Sequence, residues 1–257
     1  MSALRSSPSG GPIAIIVQAR MTSTRLPGKV LRPVMGRPLL AYEIDRLKLV
    51  RTPHTLVVAT TDDVSDDPIE KLAEGMSCVV YRGARDDVLR RYSEAARHVG
   101  AQTVVRITAD CPLIDPSIVE LVIQRYRDEE CDFASNMLEW TFPLGLAVEV
   151  FSRDALETAD REAAVPEERE HVTVFIYRRP ERFRLCSIRL PQDLSRHRWT
   201  VDTLADFQLV SQILESLHPL DPTFSMNDVL ELMDKHPEWA GINRDADTYR
   251  PDHPLRH

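Results

Sequence analysis

Ile13-Ala14-Ile15-Ile16-Val17-Gln18-Ala19-Arg20-Met21-Thr22-Ser23-Thr24-Arg25-Leu26-Pro27-Gly28-Lys29 is the stretch on which the fold turns. The run from Ile13 to Val17 is apolar without alternation, the mark of a strand buried on both faces of a sheet. Three cations follow it on a loop, Arg20, Arg25 and Lys29, with small hydroxyl residues between them. Arginine meets phosphate oxygens as a planar fork and lysine as a movable point charge, so this loop suits a polyanion such as a triphosphate. It is not a Walker loop. That motif needs Gly five positions before Gly28 and Ser or Thr after the lysine, where this chain has Ser23 and Val30, so a P-loop kinase or ATPase is disfavoured. The plainer reading is a basic surface loop.

The chain has 257 residues, with 43% hydrophobic and 28% charged side chains, as expected for a globular protein able to bury a sizeable core. One large α/β domain, or one with an appended subdomain, is the expected organisation. The formal net charge is −8. Duplex binding rests on surplus cations, so general affinity for nucleic acid is not expected, and the cations at 20, 25 and 29 look placed. Cys78, Cys111, Cys131 and Cys186 show no C-x-x-C spacing and read as reduced thiols. The Ser/Gly/Pro-rich start (1–12) is expected to be disordered, has no signal-peptide core, and no later run is long enough for a membrane span. A cytoplasmic location without membrane insertion is the default expectation.

Short β-branched runs alternate with helical patterns up to about Tyr126, which predicts βα units and a mainly parallel sheet. The strands are expected at 13–18, 55–60, 77–81 and 103–107. Helices are expected from Pro38, from Pro68 with Ser65 as its cap, over 86–99, and from Pro116 toward Tyr126. Beyond Glu130 the pattern predicts strands within 132–151 around a loop at 141–145, and helices over 153–164 and 167–178. A strand near 183–190, a short strand at 198–201 and helices at 204–217 and 227–235 complete the expectation, before an irregular tail from Asn243.

In an open parallel sheet, ligands bind beyond the carboxyl ends of the strands, so polar clusters that follow successive strands converge. Three do so here: the loop at 19–29, Thr60-Thr61-Asp62-Asp63, and Thr108-Ala109-Asp110-Cys111-Pro112. Any one of them is also readable as a turn or a helix cap, the Thr60 to Asp63 cluster as readily as not. Asp110 follows a strand and is stiffened by Pro112; a held carboxylate facing a phosphate loop is what a Mg²⁺ bridge needs. Asp202, in His197-Arg198-Trp199-Thr200-Val201-Asp202-Thr203, is a second candidate, with an N-cap for the helix at 204 as its structural alternative. Arg106 lies within an apolar strand and must face a carboxylate or the substrate.

The elements Q-A-R-M-T-S-T-R-L-P-G-K, A-T-T-D-D, R-I-T-A-D-C-P-L-I-D, E-R-E-H-V-T and V-D-T together resemble the cytidylyltransferases that make CMP-activated sugars. The pattern is nearest to the SpsF-like spore-coat polysaccharide proteins; 3-deoxy-manno-octulosonate and acylneuraminate cytidylyltransferases are more distant. The resemblance runs from Ile13 to about Phe207. It implies a Rossmann-like α/β fold of the nucleotide-diphospho-sugar transferase type, with a small α+β insertion for acceptor binding and dimerisation. One domain over 13–242 is implied, with a nucleotide-binding half (13–130), an acceptor and dimer part (131–200), C-terminal helices (201–242) and an irregular tail (243–257).

The same resemblance implies residue roles. Ala19, Arg20, Ser23, Arg25 and Lys29 look like the triphosphate grip, and Thr60, Thr61, Asp62, Thr108 and Ala109 like the nucleoside surround. Asp110 and Asp202 look like paired Mg²⁺ carboxylates, making Arg20, Lys29, Asp110 and Asp202 the expected catalytic set. Arg82-Gly83-Ala84-Arg85-Asp86-Asp87-Val88-Leu89-Arg90-Arg91-Tyr92 resembles a run of the SpsF-like proteins and places Arg82 or Asp87 near nucleotide or acceptor; a capped, solvated helix is the alternative. Acceptor contacts are expected from Arg106, Glu149, Glu168 and His171. The family pattern Y/F-P-D-G-L-D-V-E is broken here by Leu144 and Ala147, which changes the expected acceptor. The implied reaction is CMP transfer from CTP to a sugar or other small acceptor with release of pyrophosphate, in a homodimer and for surface glycan synthesis. A sugar-nucleotide-dependent glycosyltransferase and a catalytically reduced nucleotide-binding protein remain open at this point.

Overall fold

The computed structural model describes residues 11–246. Its first half alternates strand and helix: β1 (Ile13–Gln18), a short hairpin of β2 (Pro33–Val34) and β3 (Arg37–Pro38), α1 (Leu39–Leu47), β4 (Thr55–Thr61), α2 (Asp67–Gly75), β5 (Val79–Gly83), α3 (Val88–His98), β6 (Thr103–Thr108) and α4 (Pro116–Asp128). The second half continues with β7 (Phe133–Ser135), β8 (Glu149–Ser152), α5 (Arg153–Glu162), α6 (Pro166–Glu170), α7 (Val174–Tyr177), β9 (Leu185–Ser187), α8 (Leu204–Leu217) and α9 (Met226–Lys235).

Seven strands form one sheet in the order β5-β4-β1-β6-β8-β7-β9. The pairs β1/β4, β1/β6, β4/β5 and β7/β9 are parallel, while β8 runs antiparallel to both its neighbours. The sheet thus spans both the expected nucleotide half and the residues after 130. Although β1 is apolar throughout, its pleat divides its side chains between two cores. Ile13, Ile15 and Val17 pack with α1, α4 and α8, whereas Ala14 and Ile16 pack with α3, α5 and α7. Helices therefore cover both faces, and the strand order reverses at β1. The crevice at the carboxyl ends of β1 and β6 is where such a sheet receives a ligand.

Several local expectations are corrected. The helix expected over 167–178 is two short ones, α6 and α7, because Val172 adopts φ 53, a left-handed conformation costly for a β-branched residue. No strand forms at 198–201; Leu144 and Arg198 make an isolated parallel bridge instead. Gly145 explains the close approach: at φ 113, a Cβ there would lie 2.6 Å from the Thr200 nitrogen. Ser65 does not cap α2 but sits in a 3₁₀ turn, Val64–Asp66, whose cap is Asp63. Asn243 is buried and hydrogen-bonded, so the fold extends past the expected start of the tail. Gly11 and Pro12 also belong to the described chain, Pro12 accepting from Gln102 N at 2.8 Å; residues 1–10 and 247–257 of the two expected irregular ends lie outside the described residues. Among the described residues no helix is long and apolar enough to cross a membrane.

Candidate active site

β1 delivers its loop onto the crevice, and the loop is shaped by its own backbone and by one buried carboxylate. Gly28 takes φ 67, a conformation glycine adopts without penalty, and starts the 3₁₀ turn that aims Lys29 inward. Gly28 N and Ser23 N both donate to Met21 O at 2.9 Å. Met21 N donates to Asp66 Oδ1 at 2.7 Å, tying the loop to the end of β4. Asp66 Oδ2 is held in turn by the Thr60 hydroxyl at 3.0 Å and by the Thr61 amide and hydroxyl. Thr60 and Thr61, expected beside the nucleoside, are thus buried behind the crevice and act on the loop through Asp66.

β6 ends in Thr108, whose hydroxyl donates to Asp110 Oδ1 at 2.7 Å. The Asp110 carbonyl accepts from Val201 N at 2.8 Å and from the Thr200 hydroxyl at 3.2 Å, which carries Asp202 up to the same place. Lys29 Nζ donates to Asp110 Oδ2 at 2.7 Å and to Asp202 Oδ1 at 2.8 Å. Asp202 also meets Arg25 Nη2 at 3.0 Å, and its other oxygen accepts from Arg198 Nη2 at 2.9 Å. The N-cap of α8 is Thr203, not Asp202, through a capping box with Asp206, so Asp202 keeps its carboxylate for the cleft.

The electrostatics follow from this geometry. Burial pushes the Asp110 carboxyl up, but the charge and hydrogen bond of Lys29, with Thr108 and Cys111, outweigh it and hold the group below the usual range. Burial likewise depresses the Lys29 ammonium, and Asp110 and Asp202 more than reverse that. Behind them Glu43 of α1 is fully buried, and burial, then the Asp110 charge, raises its carboxyl well above the ordinary value. Asp110 is therefore held toward its ionised form beside a carboxyl whose ionisation burial opposes.

Of the residues expected at the site, the structure brings Ala19, Arg20, Ser23, Arg25, Lys29, Thr108, Ala109, Asp110, Asp202 and His171 to the walls of one cleft. Burial lowers the His171 ring below its usual value, leaving it neutral at pH 7. Others stand elsewhere. Asp62 is exposed away from the cleft, donating its amide to Gly83 O. Arg82 bonds Asp67 at 2.7 Å, Glu70 at 2.6 Å and the Thr61 and Asp63 carbonyls. Asp87 caps α3 and accepts from Nε and Nη2 of Arg169. Arg106 meets a carboxylate as its buried position requires: it pairs with Glu149 across β6 and β8, and Glu149 also accepts from Thr173. Neither residue lines the cleft, although Arg106 Nε donates to Oε1 of the lining residue Gln18 at 3.3 Å. Glu168 is buried against Arg179 at 2.7 Å. Leu144 and Ala147 do not line the cleft either; Leu144 borders a separate cavity beside His197 and Trp199.

Sequence reading missed Gln18, Thr24, Val30, Val88 and Arg91 as lining residues. For Arg91 a signal existed, because it shares the helical stripe of Val88 and Ala95, both buried.

Comparison with known proteins agrees with this architecture. The cytidylyltransferase family model matches residues 14–229. The spore coat polysaccharide biosynthesis protein SpsF of Bacillus subtilis is 31% identical over 91% of this chain and 99% of its own length. A solved cytidylyltransferase from Leptospira borgpetersenii superposes with a TM-score of 0.84 at 33% identity, covering 92% of this chain and 98% of that one. A CMP:2-keto-3-deoxy-manno-octonic acid synthetase solved with CTP shares the fold, with a TM-score of 0.60 at 18% identity over 79% of this chain and 98% of its own. With a family model spanning most of its length and a site built at the expected end of the sheet, the chain belongs to the cytidylyltransferase family.

Proposed function

We propose that the protein transfers CMP from CTP to a small hydroxyl- or acid-bearing acceptor in surface glycan synthesis, releasing pyrophosphate. The observation that carries this reading is the Lys29 ammonium joined to both Asp110 and Asp202 at the mouth of a cation-walled cleft. CTP is the nucleotide in the related synthetase structure. An acceptor oxygen forms the new bond to the α-phosphorus while the bond from that phosphorus to the bridging oxygen breaks, and pyrophosphate leaves with Arg20, Arg25 and Lys29 neutralising its charge. No enzyme nucleophile is required.

The donor set fits Mg²⁺. Two carboxylates stand within reach of one ammonium, and no cluster of three or more His, Cys, Asp or Glu occurs among the described residues, so phosphate oxygens and water would complete the shell. Asp110 and Asp202 would hold the ion, which supplies charge neutralisation at the reacting phosphate. His171 and Glu170, which line the same cleft, are the acceptor-side groups. Family resemblance supports a homodimer, and four unpaired thiols suit a reducing compartment such as the cytoplasm. The net charge of −8 argues against nucleic acid as a partner.

Pyrophosphate release from each of the four nucleoside triphosphates, against a panel of sugar acids and sugar phosphates, tests the reading. Acceptor-dependent release from CTP is expected, with Asp110→Asn losing most of it and keeping its fold. Release of a nucleoside diphosphate from a sugar nucleotide, or CTP binding without turnover on any acceptor, would overturn it.

A further inference from the structure

We propose that Arg91 is a nucleotide-binding residue that receives a phosphate oxygen of the donor triphosphate beside Arg20. The inference rests on the cytidylyl-transfer reading above. Arg91 is 1% exposed and lines the same cleft as Arg20 and Lys29. Its stem packs over Gly83, where an added Cβ would lie 3.3 Å from Arg91 Cγ. Its Nη1 donates to Ala84 O at 2.7 Å and, at 3.4 Å, to Arg85 O. Its Nε is buried and makes no hydrogen bond, and the Asp66 and Asp62 carboxylates act on its charge without forming an ion pair with it.

A second buried arginine shows what closure by the fold itself looks like. Arg46 donates from Nε to Ile114 O at 2.6 Å, from Nη2 to Phe224 O at 2.7 Å and from Nη1 to Pro222 O at 3.3 Å, and its guanidinium lies 4.1 Å from the centre of the Phe224 ring. Arg91 is just as buried, but only its Nη1 finds acceptors. Its fork is incomplete and it lines the cleft, and burial first, then the charge of Arg20, oppose its ionisation by more than Tyr92, Asp66 and Asp62 favour it. A buried cation left without a counter-charge is costly, and an anion entering the cleft removes that cost. The guanidinium fork matches phosphate in shape as well as charge.

Calorimetric titration of the wild type, Arg91→Met and Arg91→Lys with CTP, cytidine and inorganic tripolyphosphate tests this. Losing one charge-assisted contact predicts that Arg91→Met binds CTP and tripolyphosphate roughly 10- to 100-fold more weakly, with cytidine unchanged. Its melting temperature should hold or rise, since a buried charge has been replaced by an unbranched apolar chain. Arg91→Lys keeps the charge without the fork and should fall between. Unchanged affinity for both polyanions, a loss confined to cytidine, or a lowered melting temperature with intact binding would each overturn the proposal. A wild type that binds CTP while the variants bind it equally sinks the Arg91 assignment alone; a wild type that binds neither CTP nor tripolyphosphate sinks the cytidylyl-transfer reading and the assignment with it.

Discussion

Two groups of charge meet at Asp202 and are finished in opposite ways. On one side, Arg198 grips Asp206 with Nε at 2.8 Å and Nη2 at 3.2 Å, and Asn243 bonds both Asp206 at 2.8 Å and the Arg198 carbonyl at 3.0 Å. Asp206 also accepts from the Asp202 and Thr203 amides and from the Thr203 hydroxyl. On the other side stand Arg20, Arg25, Lys29 and Arg91, where Lys29 meets Asp110 and Asp202 and Arg25 meets Asp202. Asp202 has one oxygen in each group. The first group is closed by the chain and holds shape; the second carries surplus cations on a cleft wall and awaits negative charge from outside.

The largest effect should come from breaking the closed group. Asp206→Asn leaves Arg198 buried beside a neutral amide and is expected to cost about 3–5 kcal/mol, read as a shift of the denaturant midpoint at constant slope. Burial raises the Asp206 carboxyl, but hydrogen bonds from Arg198 and Asn243 and the Arg198 charge bring it below the ordinary value. A depressed carboxylate contributes stability that is complete above its unfolded value, about 3.9, and lost as pH falls through the lower folded value. The acid limb of wild-type stability should therefore flatten in this variant, and equal slopes would undo the contrast.

A smaller effect, and on a different observable, is expected on the open side. Lys29→Ala should lower kcat/KM for CTP by about 2–4 kcal/mol, the range for losing a charge-assisted contact at a reacting phosphate, while the fold persists. Kinetics equal to wild type would remove the loop from the reaction. Smallest is Thr60→Val, which takes one hydrogen bond from Asp66 and should cost about 0.5–1.5 kcal/mol of stability. A larger loss in CTP affinity than in stability would mean that Thr60 meets the nucleotide directly.

Much of this was legible in the chain because it depended on nearest neighbours. Strands β1, β4 and β6 fall where unbroken β-branched runs predict them, and the cationic loop follows from residue type alone. Asp110 was readable as a strand-end carboxylate. Glu168 and Arg82 were misplaced because a charged residue in a family-like motif does not reveal whether its partner is a ligand or, as here, Arg179 and the Asp67–Glu70 pair. The break between α6 and α7 was hidden for a similar reason: Val172 has ordinary local propensity, and only its surroundings force a positive φ.

Sequence alone determined the parallel α/β class, the cationic loop after β1 and the family, since these rest on periodicity, residue chemistry and motif spacing. Only the folded chain decided that Lys29 joins Asp110 to Asp202 across 81 and 173 positions, and that Arg91 rather than Arg82 faces the cleft. Partner choice over such separations is set by strand order and helix packing, which no local pattern encodes.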